Sequence, residues 1–218
     1  TELILKENGL TANIDEFNAE MAKQKERARN AAAVEATDWV VLKEGDAEFV
    51  GYDLDEVETE VLRYRKVKQR NKEFYQVILA RSPFYGEMGG QVGDKGQLVF
   101  ENETIEVVDT KREYNQSVCI LNSLPSDVTA TFRAVIDKEA RQAICCNHTA
   151  THLLHESLRE VLGTHVEQKG SFVSPEILRF DFSHFQKMTE EEIRQVERLA
   201  NEKVRKATPR CEHRDIPI

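Results

Sequence analysis

Proline and glycine are scarce in this chain, five and ten in 218 residues, which excludes a collagen-like or low-complexity architecture. Aromatic residues reach only 7% and tryptophan occurs once, yet 40% of residues are hydrophobic, enough apolar material for a sizeable core. No run approaches the eighteen apolar residues of a membrane span, and no basic-then-apolar leader opens the sequence. A cytoplasmic address without a membrane partner is therefore expected. Cysteine is sparse too. Cys119, Cys145, Cys146 and Cys211 match no secreted disulfide framework, two of them being adjacent, so free thiols are expected.

Thirty Lys and Arg against 39 Asp and Glu leave a net charge of −9, which argues against a bulk electrostatic grip on DNA or RNA. The distribution is uneven. Glu44 to Leu62 carries eight acidic residues and no basic one, whereas Arg63 to Lys72 carries six basic residues and no acidic one. The basic run reads either as a solvated strand surface or as a local contact to an RNA backbone.

Periodicity predicts an α+β fold. Asn13 and Glu16 have capping-box spacing ahead of a helix whose sparse apolar face holds Phe17, Met21, Ala28 and Ala31 or Ala32. From about residue 47 the period shifts to two. Strands are expected at 60–66, 74–81, 96–100, 104–110, 117–121 and 129–136, with gaps too short for crossover helices, which favours a small β-barrel or folded sheet. A long helix follows, capped by Asp137 and closed by Gly163 in a left-handed position. Its apolar stripe runs through Ala140, Ala143, Ile144, Thr151, Leu154, Leu158, Val161 and Leu162, bordered by His148, His152 and His155. Paired strands at 171–173 and 178–182 lead to a last helix with a Thr189/Glu192 capping box, a Met188/Ile193 staple and an inward face of Ile193, Val196, Leu199 or Ala200, and Val204. Residues 211–218 read as a strand. The expected division is a helical tail at 1–40, a barrel at 41–136 and an α+β core at 137–218.

His148 and His152 stand one helical turn apart, so both imidazoles can reach one metal ion, zinc being the ordinary choice. The same spacing fits histidines at a core edge, and the residues alone leave both readings open. His155 reads as structural, and Cys211, His213, His184 and Cys119 complete no recognisable ligand set. The tract 84–94 packs four glycines into eight residues, 86–93, without dinucleotide spacing and without the Lys-Ser or Lys-Thr pair of a phosphate loop. It is either a tight hairpin or a backbone that presents Gln91 to a polar substrate. No serine or cysteine has a nucleophile-elbow context. No glutamate lies between His148 and His152 to serve as the base of a zinc peptidase.

The string Asn147-His148-Thr149-Ala150-Thr151-His152-Leu153-Leu154-His155, with Gln168-Lys169-Gly170-Ser171 and Leu178-Arg179-Phe180-Asp181-Phe182-Ser183-His184, closely resembles alanyl-tRNA synthetase. The tract from Phe84 to Asp94, including Gln91, resembles that family's editing domain, and the opening helix resembles the end of its tRNA-recognition region. The resemblance implies an internal fragment with a barrel joined to an α+β editing module. Its implied reaction is hydrolysis of serine or glycine mischarged onto alanine tRNA. It implies Zn2+ at His148 and His152, the remaining ligands coming from a Cys-x-x-x-His motif expected beyond residue 218. ATP and Mg2+ are implied only for an aminoacylation domain expected upstream. Alanine tRNA, especially its acceptor end, is the implied partner. Gln91, Thr149 and Thr151 are the implied pocket residues that discriminate a substrate hydroxyl. The alternatives are a tRNA-binding or structural piece that lacks turnover because half of the zinc site is missing, and, more remotely, a freestanding editing protein.

Overall fold

A computed structural model describes residues 9, 13–31, 34–69 and 72–209, so the expected strand at 211–218 and the atoms of Cys211 and His213 lie outside the described residues. Helix α1 (Ile14–Ala31) begins as its sequence predicts, with Asn13 Oδ1 accepting from the Glu16 backbone at 3.2 Å. Its sparse face is not covered: Phe17 is 57% exposed and Met21 37%.

The next elements are β1 (Val34–Ala36), β2 (Val40–Val41), β3 (Glu48–Phe49), β4 (Glu56–Thr59), β5 (Val61–Gln69), β6 (Lys72–Leu79), β7 (Arg81–Ser82), β8 (Gly96–Val99), β9 (Thr104–Glu113), β10 (Gln116–Leu121) and β11 (Phe132–Ile136). All six expected strands form. The sheet also takes in β1, which lies ahead of the expected boundary at residue 41, β2, which spans it, and β4, whose four residues alternate exposed and buried.

Nine strands join in one sheet, ordered β1-β5-β6-β10-β9-β8-β11-β4, with β2 on β5; every pairing in it is antiparallel. This corrects the barrel expectation: the ladder is an open path, not a closed ring. Its two end regions are joined covalently instead, because β4 runs into β5 through the single residue Glu60. The sheet therefore rolls around one core, in which Val61, Val77, Leu79, Phe84, Leu98, Val107, Leu121 and Ile136 are buried together. Alternation along the strands sends these side chains to one face and leaves the charged neighbours in water.

Helix α2 (Lys138–Leu162) follows, with Asp137 Oδ1 accepting from the Ala140 backbone at 3.0 Å. Gly163 closes it at φ 113°, ψ 166°, a positive-φ extended conformation rather than the left-handed helical one expected. The hairpin β12 (Gln168–Val173) and β13 (Leu178–Phe182) packs on α2, and α3 (Glu190–Lys206) also packs on α2. The capping box of α3 forms as expected, Thr189 and Glu192 bonding reciprocally. Its inward face is narrower than expected, for Val196 is buried while Ile193 and Val204 stay exposed. Leu158, Val166 and Val196 form a second, smaller core with Phe180, Phe182 and Met188 packed against it.

Candidate functional site

The glycine tract forms a tight hairpin. Met88 and Gln91 exchange backbone hydrogen bonds at 3.1 and 3.2 Å around Gly89 and Gly90, whose φ values of 62° and 87° are those of a two-residue primed turn. Successive positive φ angles cost glycine little and other residues more. The turn is stitched to the end of β12: Val173 N–H donates to Gly90 O at 2.8 Å, Val92 N–H donates to Val173 O at 3.0 Å, and the Ser171 hydroxyl donates to Gly89 O at 3.2 Å.

That docking sets Gln91 against α2. Its side-chain oxygen lies 2.6 Å from Nδ1 of His148. An amide oxygen can only accept, so the His148 proton sits on Nδ1 and the lone pair of the neutral ring faces outward at Nε2. His152 follows one turn later with ring centroids 5.1 Å apart and planes 25° apart. Gln91 is buried, His148 half-buried and His152 exposed. The pair thus lies at the edge of the helix rather than in a dry core.

Burial first, and the neighbouring charge of His152 second, push the His148 pKa below its ordinary value of 6.5. The ring is therefore neutral at pH 7 with its Nε2 lone pair available. Below pH 6.5 the unfolded chain binds more protons here than the folded one. This contribution to stability is thus complete above that pH and declines on acidification until the folded-state pKa is passed. A His152→Gln variant is expected to move the His148 NMR titration upward towards 6.5, burial holding back the rest. An unchanged midpoint would deny the coupling.

The other expected residues lie apart from this contact. Thr151 is buried and its hydroxyl donates to Asn147 O at 2.8 Å. Thr149 donates to Cys145 O at 2.9 Å and lines a groove of about 960 Å³ between α2 and α3, which neither Gln91 nor His148 lines. The geometry therefore joins Gln91 to His148 and does not bring Thr149 to them. His155 is structural as expected, its Nε2–H donating to Val166 O at 3.3 Å with the ring against Phe180. His184 bonds His165 at 2.9 Å. Cys119 is a core thiol whose pKa burial pushes up to about 12.

A second cavity, about 620 Å³, opens where the loop, the first turns of α2 and the β12 end meet, lined by Gly93, Asp94, Ile144, Phe172, Ser174 and Glu176. It adjoins the Gln91–His148 contact without including either residue. Sequence reading missed the ion pair that holds this region. Arg141 donates from Nε to both Asp94 oxygens at 2.9 and 3.1 Å and pairs again through Nη2. It also donates to Gly51 O at 2.8 Å and Pro83 O at 3.1 Å. The second Asp94 oxygen accepts from the Tyr85 backbone at 2.6 Å. One signal was legible: seven residues before His148, Arg141 falls on the same side of the helix.

Two imidazoles on consecutive turns are of the kind that can share a metal ion, and a side-chain bond to Nδ1, as from Gln91, is of the kind that orients a histidine ligand. Among the described residues no group of three or more His, Cys, Asp or Glu is placed to hold a metal. No described helix is long and apolar enough to cross a membrane.

Residues 1–140 match the family described as tRNA synthetases class II (A). Over 218 residues the chain is 64% identical to an alanine-tRNA ligase of Parabacteroides distasonis, covering 100% of this chain and 25% of the relative. It is 63% identical over 219 residues to the alanine-tRNA ligase of Porphyromonas gingivalis, with the same coverage of each. The alanine-tRNA ligase of Cytophaga hutchinsonii is 46% identical over 218 residues, again 100% of this chain and 25% of the relative. The chain spans about a quarter of the length of these curated relatives.

Proposed function

From the premise that this chain belongs to the class II (A) tRNA synthetases, we propose that it is the editing part of an alanine-tRNA ligase, hydrolysing the ester of serine or glycine mischarged onto alanine tRNA. The observation that carries the reading is the 2.6 Å bond between Gln91 and His148, which joins the glycine loop to the histidine helix across 57 residues of sequence. In this reading residues 1–40 are the tail of a tRNA-recognition region, 41–136 a barrel-like subdomain and 137–218 the editing core. The working compartment is the cytoplasm. ATP and Mg2+ serve alanylation elsewhere in the ligase.

His148 and His152 hold zinc through their ring nitrogens, together with ligands from outside the described residues. When bound, zinc supplies Lewis acidity at the ester or at the attacking water. Gln91 fixes the His148 tautomer and ring orientation. Thr151 is assigned to sensing a substrate hydroxyl, because its own hydroxyl donates to a carbonyl one turn back and so keeps a lone pair able to accept from a serine side chain; Thr149 faces the α2–α3 groove and is given no such role. The acceptor end of alanine tRNA is the partner that delivers the ester.

In the intact ligase, Gln91→Ala is expected to slow deacylation of serine-charged alanine tRNA about 10- to 100-fold, the usual cost of losing an outer-shell partner, with alanylation unchanged. Undiminished hydrolysis would defeat the role of Gln91. The alternative reading is an RNA-binding piece without turnover. Zinc content and deacylation measured on the intact ligase and its His148→Gln variant separate the two: zinc and ester hydrolysis that depend on His148 support editing, and RNA binding with neither supports a binding piece.

A further inference from the structure

The outer face of the rolled sheet carries a feature the editing site does not use. Strand β5 presents Arg63 and Arg65 beside Trp39, and with Glu113, Tyr114 and Gln116 they line a cavity of about 300 Å³. The Arg65 guanidinium lies 4.4 Å from the centre of the Trp39 ring and is held by Glu113 at 2.8 Å. Arg63 donates to Gln116 Oε1 at 3.0 Å, but its Nε–H is buried with no hydrogen-bond partner among the described residues. A buried donor left unmade costs free energy unless something outside the chain accepts from it.

Tyr114 is the second anomaly. It occupies the first central position of the two-residue turn between β9 and β10, where φ is 46° for Tyr114 and 66° for Asn115. Such turns favour Asn, Asp or Gly, and a bulky ring at positive φ is strained. The ring is also 99% exposed, so burial does not offset the strain. A strained, fully exposed aromatic beside a guanidinium with a spare donor is the composition of a stacking platform.

Charge selects the occupant. The six basic residues from Arg63 to Lys72 follow one another without an acidic residue in a chain of net charge −9. Only two of them enter described ion pairs, Arg65 with Glu113 and Lys66 with Glu73. We infer that this cavity binds an unpaired RNA nucleotide, its base stacked on Tyr114 and Trp39 and an acceptor oxygen or ring nitrogen taken by Arg63. The choice of RNA rests on the proposed function, but the cavity shares no residue with the Gln91–His148 contact, and binding here is separable from hydrolysis there.

Trp39 is the sole tryptophan, so its emission reports on this cavity alone. Titrating the 218-residue chain with a mixed-sequence single-stranded RNA 12-mer is expected to quench that emission saturably. Tyr114→Asn, which suits the positive φ, is expected to keep or raise the urea midpoint while weakening RNA binding about 5- to 100-fold. Arg63→Gln is expected to weaken binding and flatten its salt dependence, and His148→Gln to leave the titration unchanged. Several results would overturn the inference: no binding, binding by anisotropy without quenching, equal affinity of Tyr114→Asn, or equal affinity for a duplex of the same sequence. Loss of deacylation in His148→Gln with intact quenching bears on the editing reading alone.

Discussion

Replacing Arg141 by Ala is expected to cost the fold about 3–5 kcal/mol, the usual penalty for removing one partner of a buried ion pair. The Asp94 carboxylate it would strand has a side chain only 2% exposed, against 14% for Arg141. The stranded charge retains the Tyr85 backbone donor but loses every guanidinium contact. Three chain segments lose their tie at once, because Arg141 also bonds the carbonyls of Gly51 and Pro83. For a chain of this size that loss lowers Tm by roughly 6–20 °C. Urea unfolding followed by far-ultraviolet circular dichroism checks it. Adding Asp94→Asn to Arg141→Ala should recover part of the loss, since the deficit comes from an uncompensated charge rather than from missing packing. A single-variant cost below about 1 kcal/mol would mean that water reaches Asp94 and that the pair contributes as little as a surface one.

The importance of Arg141 was illegible from composition, in which it is one basic residue among thirty. What was legible is local. Helix α2 could be bounded because Asp137 and Gly163 flank 25 residues with one apolar stripe, and the capping box of α3 because its two partners lie three residues apart. The six expected strands could be found by alternation. Strands of two residues, β2, β3 and β7, are too short to carry a period of two, and they form because neighbours offer them a ladder. Strand order was not recoverable for the same reason. The barrel expectation fails at Glu60, where one residue joins β4, the last strand of the ladder, to β5, the second strand from its other end, and no ladder among the described residues bonds the two. A gap of one residue reads as continuity in sequence, but here it turns the chain from one sheet end to the other.

The candidate site divides in the same way. The histidine spacing and the glycine tract were each visible, and each had a bland reading beside the chemical one. Their meeting depends on β12, whose end the loop joins through Val173 and Ser171, and nothing in residues 84–94 encodes a partner some 80 positions later. Thr149 was expected in the pocket from resemblance alone, and the 100° step from His148 carries it round to the α3 groove.

The glycines allow that joint to be tested directly, because Gly89 and Gly90 share the same kind of backbone but not the same surroundings. Both have positive φ, so an alanine at either carries a comparable strain of about 1 kcal/mol. At Gly89 an added Cβ meets nothing within 4 Å. At Gly90 it would stand 2.3 Å from Ser171 Oγ and 2.5 Å from Ser171 O. The hydroxyl can rotate away, but the carbonyl is part of β12 and cannot. Gly90→Ala must therefore lift the turn, breaking the bond from Val173 to Gly90 and carrying Gln91 away from His148. Displacement of a positioned group by about 1 Å costs on the order of 100-fold in rate. Gly90→Ala is accordingly expected to reduce deacylation of serine-charged alanine tRNA by about that factor in the intact ligase, while Gly89→Ala stays near the parent rate. Parent-like rates in both variants would show that contact between the turn and β12 does not position Gln91, and equal losses in both would show that strain in the turn, common to both glycines, is what matters.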